Sequence, residues 1–309
     1  MPPTPLPRIA VLMATFNGRR WLPEQLQSIL DQEAVDVRVF ALDDGSTDGT
    51  AEWLAEQAAT EPRLHILESG TPSGSSAANF YRMIARTPVD GVDLIAFADQ
   101  DDVWMPGKLA RHAALIADHG YDGVSGNVTS FTPDGKRTLV RKSYPQRRYD
   151  FLCESPGPGS TFLMTPRLFA LAREVLATQE SAHQVDYHDS LVYSIARSRG
   201  WAWHIDDVST VDYRQHEANV MGSNVGGSSA LARVRLVRQK WHRGQAIAMA
   251  TTGLAVVPDE SRARLEGMLR LVSSTRFTDR LALARLAGQL RRRPRDQRVI
   301  RLFILSGAW

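Results

Sequence analysis

From residue 8 to residue 98, short apolar runs alternate with stretches whose apolar residues recur every three or four positions. Arg8–Thr15 (RIAVLMAT) reads as a buried strand, and Asn17-Gly18 closes it with a turn. Trp21–Leu30 places Leu22, Leu26 and Ile29 on one helical face. Val37–Leu42 is the next strand, closed by Asp43-Asp44-Gly45, and Ser46 or Thr47 is positioned to cap a helix reaching Ala58. Arg63–Leu67 and Asp93–Ala98 (DLIAFA) are further strands, with a helix over Asn79–Arg86 between them. Continuous apolar strands alternating with amphipathic helices predict an α/β fold with a mostly parallel sheet covered on both faces. Ligands of such sheets gather beyond the carboxyl ends of the strands. Thr15–Gly18, Asp43–Thr50 and Asp99–Trp104 all sit at such ends and are expected to converge.

Beyond residue 100 the pattern loosens. A helix over Lys108–Asp118 carries Leu109, Ala113 and Ile116 on one face. Tyr121–Lys142 reads as shorter β structure around a Pro133-Asp134-Gly135 turn, and Pro156–Ser160 as a loop entering Thr161–Met164. Asp186–Arg199 is a helix ended by Gly200, and Trp201–Tyr213 holds one or two strands. The Gly/Ser-rich stretch 223–229 is the expected linker between an α/β domain over 1–222 and a helical region over 230–309. In that second region Val234, Val237 and Trp241, then Leu283, Leu286 and Leu290, keep helical register.

Charge changes the picture chiefly at the tail. The net charge is only +3, yet residues 1–227 hold 20 Lys/Arg against 29 Asp/Glu, and residues 228–309 hold 17 against 5. Arg291, Arg292, Arg293, Arg295, Arg298 and Arg301 crowd one segment beside Val299, Leu302 and Phe303. A basic amphipathic helix on an anionic membrane surface would account for them, as would a solvated helix face or packing against the acidic first region. No aromatic or recognition motif accompanies the charge, so no nucleic-acid partner is expected. The single Cys153 permits no internal disulfide and no cysteine-based zinc site. Residues 1–7 contain Pro2, Pro3, Pro5 and Pro7 rather than a signal peptide, and no apolar stretch is long enough to span a bilayer. The expected location is cytoplasmic, with peripheral attachment to the inner face of the cell membrane through the basic tail.

Two acidic elements carry chemistry. Three carboxylates in Asp99-Gln100-Asp101-Asp102 repel one another at the end of a buried strand. A hard divalent cation, Mg²⁺ or Mn²⁺, would relieve that conflict, whereas a solvated turn capping the next helix would need no ligand. Asp43-Asp44-Gly45-Ser46-Thr47 forms a turn and cap, and a carboxylate there could accept the N3–H of a uracil or thymine ring beside Thr15.

VLMATFNG, DDGSTDGT and FADQDDVW, in this order, resemble the family 2 glycosyltransferases of the GT-A fold, over roughly residues 8–222. ADQDDVW with the later YRQHxxN is similar to bacterial rhamnosyltransferases of surface-polysaccharide assembly. The resemblance implies an inverting transfer of a sugar, L-rhamnose in the narrower match, from a dTDP- or UDP-sugar to a hydroxyl of a glycan or lipid-linked glycan. It divides the domain into a donor half near 8–120 and an acceptor half near 121–222. It implies that Asp44 contacts the base with Thr15 nearby, that Asp99 contacts the ribose, and that Asp101 binds a diphosphate-bridging Mn²⁺ or Mg²⁺ with Asp102 assisting. His216 matches a histidine that completes the metal site in several relatives, and Arg214 could pair with donor phosphate. Asp186, His188 and Asp189 are the candidate general bases, and Asp189 stands where the family places its catalytic aspartate. Ser190 replaces the tryptophan that often follows, which leaves the acceptor pocket open. Gly159 and Ser160 match the small-residue segment near the acceptor. Two other functions share parts of this pattern. A sugar-nucleotide pyrophosphorylase would need a glycine-rich basic phosphate loop where ATFNGRR stands, and a non-catalytic carbohydrate- or partner-binding module would need no metal cluster or base.

Overall fold

The computed structural model describes residues 5–216 and 241–309. In chain order the first half runs β1 (Arg8–Thr15), α1 (Leu22–Leu30), β2 (Asp36–Asp43), α2 (Thr50–Ala58), β3 (Leu64–Ile66), α3 (Ser76–Arg86) and β4 (Leu94–Ala98). There follow β5 (Val103–Trp104), α4 (Lys108–His119), β6 (Gly123–Phe131), β7 (Arg137–Val140), β8 (Leu163–Met164), α5 (Pro166–Thr178), α6 (His188–Arg199) and β9 (Trp203–Arg214). After residue 240 come α7 (Trp241–Leu254), α8 (Asp259–Ser273), α9 (Phe277–Arg285), α10 (Ala287–Leu290) and α11 (Pro294–Ser306).

One sheet joins the strands in the order β3-β2-β1-β4-β8-β6-β9-β5, with β7 hairpinned onto β6. The pairs β3/β2, β2/β1, β1/β4 and β6/β9 are parallel. β8 is antiparallel to both β4 and β6, so the second half runs in the same sense as the first. Every residue of β1 after Arg8 is buried, which is why its sequence is a continuous apolar run. Alternate residues serve two cores. Ala10, Leu12 and Ala14 face Phe80, Phe97, Leu168 and Leu191; Ile9, Val11 and Met13 face Leu22, Leu26, Leu54 and Leu109. The register Thr15↔Asp43 and Met13↔Ala98 brings the carboxyl ends of β1, β2 and β4 side by side.

The first core does not stop at the α/β unit. Met249, Leu265, Met268, Val272, Leu283, Leu290, Ile300 and Ile304 from the five C-terminal helices belong to the same buried cluster as Phe97 and Leu191. The stretch 223–229 expected as a linker, and Val234 and Val237, lie outside the described residues.

Local expectations fail at two places. α2 begins at Thr50 behind Gly49 in the left-handed region (φ 85°), so neither Ser46 nor Thr47 is its cap. Instead Asp48 Oδ1 accepts from Thr50 N at 3.1 Å and Thr50 Oγ1 at 2.6 Å, while the Ser46 hydroxyl is taken by Asp43. The pattern reading also held no helix between Met164 and Asp186, where α5 stands capped by Thr165 with Pro166 at its first turn.

Candidate functional site

Beyond the ends of β1 and β4 the chain is pinned before any ligand is considered. The Gln100 amide grips Phe16 on both sides, accepting from its N–H at 2.8 Å and donating to its carbonyl at 2.9 Å. A Cβ at Gly18 would fall 2.1 Å from Gln100 Oε1, so only glycine allows this approach. Gln100, to which the sequence pattern assigned no role, is the clasp that holds two strand ends together.

The three carboxylates then separate. Asp99 is half-buried; desolvation first, then the charges of Asp101 and Asp189, push its carboxyl up to about 7. Asp101 Oδ2 lies 2.5 Å from His216 Nε2, and the His216 ring stacks on Trp21 at 4.0 Å. Asp102 is fully buried: Oδ1 accepts from the Arg214 backbone N–H at 3.3 Å, and Oδ2 has no hydrogen-bond partner among the described residues. Burial holds Asp102 well above, and its neighbour Lys108 well below, their ordinary values, so both are driven toward the neutral form. The Lys108 ammonium lies 3.2 Å from the Trp104 ring centroid. Asp102 thus faces the interior between β5, α4 and the end of β9, beside Lys108 and the Arg214 backbone, so the assistance expected of it toward a metal suits a path through water better than direct ligation.

Several other expected site residues are occupied structurally. Thr15 is buried and its hydroxyl donates to Asp43 Oδ1 at 3.0 Å. Asp44 accepts from Ser73 N at 2.6 Å, Ser73 Oγ at 2.8 Å and Gly74 N at 3.2 Å, with Arg82 at 3.4 Å. It draws the loop before α3 over the end of β2. Arg214 donates to the Asp101 carbonyl at 2.9 Å and pairs with Glu24, so it braces the acidic turn against α1. Ser160 is fully buried beside Asp102.

Of the candidate bases, His188 is corrected to a core residue. It is stacked on Phe80 at 3.7 Å and edge-on to Phe97 at 5.1 Å, and burial lowers it to about 3. Gly159 is its counterpart, for a Cβ there would lie 2.3 Å from His188 Nε2. Asp186 is exposed and receives the Trp241 indole N–H. Asp189, in the first turn of α6, is half-buried and raised by desolvation; Ser155, Ser190 and the Lys142 charge act in the opposite sense. Ser155 Oγ lies 2.9 Å from Asp189 Oδ2, and Ser190 N donates to Oδ1 at 2.5 Å. Ser155 and Lys142 were invisible to motif reading because they lie in an irregular loop.

The chain has known relatives. The model described as Glycosyl transferase family 2 matches residues 10–178. The chain belongs to glycosyltransferase family 2. It is 35% identical to the dTDP-rhamnosyl transferase RfbG of Shigella flexneri over 240 residues, covering 77% of this chain and 83% of that one. It is 30% identical to the putative teichuronic acid biosynthesis glycosyltransferase TuaG of Bacillus subtilis over 110 residues, 36% of this chain and 42% of that one. Among solved structures, S. aureus TarS 1–349 in complex with UDP-GlcNAc aligns with a TM-score of 0.59 at 15% identity, covering 97% of this chain and 88% of that one. Mannosyltransferase PcManGT from Pyrobaculum calidifontis, in complex with GDP-Man and Mn²⁺, aligns at 0.51 and 16%, covering 99% and 86%. At such identities the likeness establishes the GT-A fold. The glycosyltransferase is thus a nucleotide-sugar-dependent enzyme, and neither a pyrophosphorylase nor a binding module describes it.

A divalent cation is usual in this fold, and the residues present fit one. Among the described residues no three acidic, histidine or cysteine side chains form a cage. Asp101 and His216 nevertheless offer one oxygen and one nitrogen side by side, and Mg²⁺ or Mn²⁺ in phosphate-handling enzymes takes one or two protein ligands with the rest from phosphate and water. The imidazole favours Mn²⁺ of the two.

Proposed function

We propose that the glycosyltransferase inverts configuration while moving L-rhamnose from dTDP-rhamnose to a hydroxyl of a surface glycan. The observation that carries this reading is the pairing of two centres across the strand ends. Asp101 meets His216 on one side, and Asp189 stands on the other, close enough for its charge to raise Asp99. The 35% identity with a dTDP-rhamnosyl transferase supports the donor. The base would lie against Asp44 and the loop folded on it, with the ribose toward Asp99. Asp101 and His216 would hold Mn²⁺ or Mg²⁺, which when bound stabilises charge on the departing diphosphate. Asp189 accepts the acceptor hydroxyl proton; that oxygen bonds to the anomeric carbon as the carbon–diphosphate bond breaks, its electron pair leaving with dTDP. A carboxylate raised by desolvation is a stronger base than an ordinary aspartate, which suits this task. Its two serine donors fix its direction.

The acceptor is proposed to be lipid-linked, met by a cytoplasmic enzyme at an anionic membrane. α11 turns Ile300 and Ile304 inward and exposes Val299, Leu302, Phe303 and Leu305 together with Arg295 and Arg298. Among the described residues no helix is long and apolar enough to cross a membrane.

Release of dTDP from dTDP-L-rhamnose, with Mn²⁺ and a rhamnan or lipid-linked glycan acceptor, tests the reading. Asp189→Asn should slow transfer by roughly 10²–10⁴-fold. Asp101→Ala should abolish the rise in melting temperature that Mn²⁺ with dTDP gives the wild type. Full transfer by Asp189→Asn would remove the base assignment, and an unchanged Mn²⁺ response in Asp101→Ala would remove the metal assignment.

A further inference from the structure

The C-terminal helices reach the candidate base through contacts that none of the sequence motifs contains. Arg292, in the turn between α10 and α11, is 2% exposed. Its Nη1 donates to Asp150 Oδ2 at 3.2 Å, its Nη2 to the Ser155 carbonyl at 2.5 Å, and its Nε lies 3.5 Å from Glu154 Oε1. Asp150 is fully buried and also receives Arg197 at 3.1 Å and the Tyr193 hydroxyl at 3.2 Å. A guanidinium this deep is tolerable only with such partners, so its position is narrowly set. The loop it grips ends in Ser155, whose hydroxyl lies between two acceptors, Asp189 Oδ2 at 2.9 Å and the Gly157 carbonyl at 2.5 Å. A second hold comes from α7. Gln245 accepts from Asp186 N at 2.9 Å and donates to the Gln184 carbonyl at 3.0 Å, fixing the segment just ahead of Asp189.

We propose that Ser155 is a positioning residue for Asp189 and that Arg292 holds Ser155 in place, so that the C-terminal helices complete the acceptor side of the active centre. The functional half of this rests on Asp189 acting as the base. The groups facing Asp189 are Ser155 from the loop, Ser190 on α6, Lys142 after β7, Asp99 after β4, Tyr187 before α6, and Tyr81 on α3. Burial opposes the carboxylate first; the serines and Lys142 favour it. Removing the Ser155 hydroxyl takes a donor from the charged form, so proton affinity rises and the base becomes available only at higher pH.

The full chain, labelled with carboxyl-¹³C aspartate, gives the Asp189 titration by NMR, with Asp189→Asn identifying the signal. Ser155→Ala should raise the Asp189 midpoint by about one pH unit. Arg292→Lys should shift it in the same direction, and the double variant no further than Ser155→Ala alone, since both act through one hydroxyl. Glu154→Gln, which loosens Arg292 without removing it, should give a smaller shift and stands in for Arg292→Lys if that variant does not fold. An Asp189 titration unmoved in Ser155→Ala overturns the proposal. Movement there, with none in Arg292→Lys or Glu154→Gln, overturns the part played by Arg292. Release of dTDP is read separately: if it survives Asp189→Asn while the titration shifts as expected, the base assignment fails and the positioning stands.

Discussion

Gly159 shows how one missing carbon shapes the centre. The β-carbon of an alanine would fall 2.3 Å from His188 Nε2, and the ring is held by Phe80 stacked on one face and Phe97 at its edge. Gly159→Ala should therefore destabilise the fold by about 1–3 kcal/mol, seen as a lower urea midpoint at unchanged slope. An unmoved midpoint would mean that the histidine has room to retreat. The same pair marks the limit of residue-level reading. In VDYHDS, His188 and Asp189 are neighbours of equal chemical promise. What separates them is surroundings drawn from α3 and β4, which no local pattern reveals. Likewise Asp101 and His216 were legible as ligand types, but their 2.5 Å approach depends on the pairing of β9 with β5. Asp44 was legible as a strand-end carboxylate; its engagement by Ser73 was not, because that loop has no periodicity.

At the scale of elements, apolar runs gave the strands of the first half nearly residue for residue, since burial on both faces leaves an unmistakable signature. α5 escaped although Thr165-Pro166 is a good start signal, a capping hydroxyl followed by proline in the first turn. α11 is the element whose amphipathic reading matters most. Leu302 is 68% exposed, with Val299 and Phe303 beside it and Arg295 and Arg298 along the same side. Each arginine near an anionic surface contributes about 1 kcal/mol, and screening weakens this as salt rises. The full chain should float with vesicles containing phosphatidylglycerol and not with pure phosphatidylcholine. Leu302→Asp with Phe303→Asp should abolish flotation without lowering the melting temperature, because both side chains are exposed. Equal flotation of that variant and the wild type would remove α11 from the membrane. Arg292, counted with this basic segment in the sequence, belongs instead to the interior.

For the whole molecule, the two-part organisation suggested by charge is crossed by a common core. Ile300 and Ile304 are buried in the cluster that also holds Phe80, Phe97 and Tyr193. Urea unfolding followed by tryptophan fluorescence and by far-ultraviolet circular dichroism should give superimposable single transitions. A separate early transition of the C-terminal helices would show that they fold as an independent unit. The reversal of charge near residue 228 was legible, but the contact it drives was not. Asp150 and Glu154 sit in a loop with no motif, and only the folded chain sets them opposite Arg292. That clasp also limits how such enzymes can be recombined. A chimera that keeps this α/β unit and borrows another tail would leave buried Asp150 with Arg197 alone and Glu154 without Arg292, unless the donor tail supplies an arginine at the same turn. Exchange of tails among relatives should succeed as a matched swap of tail and loop, so that the C-terminal helices and the 150–155 loop are inherited together.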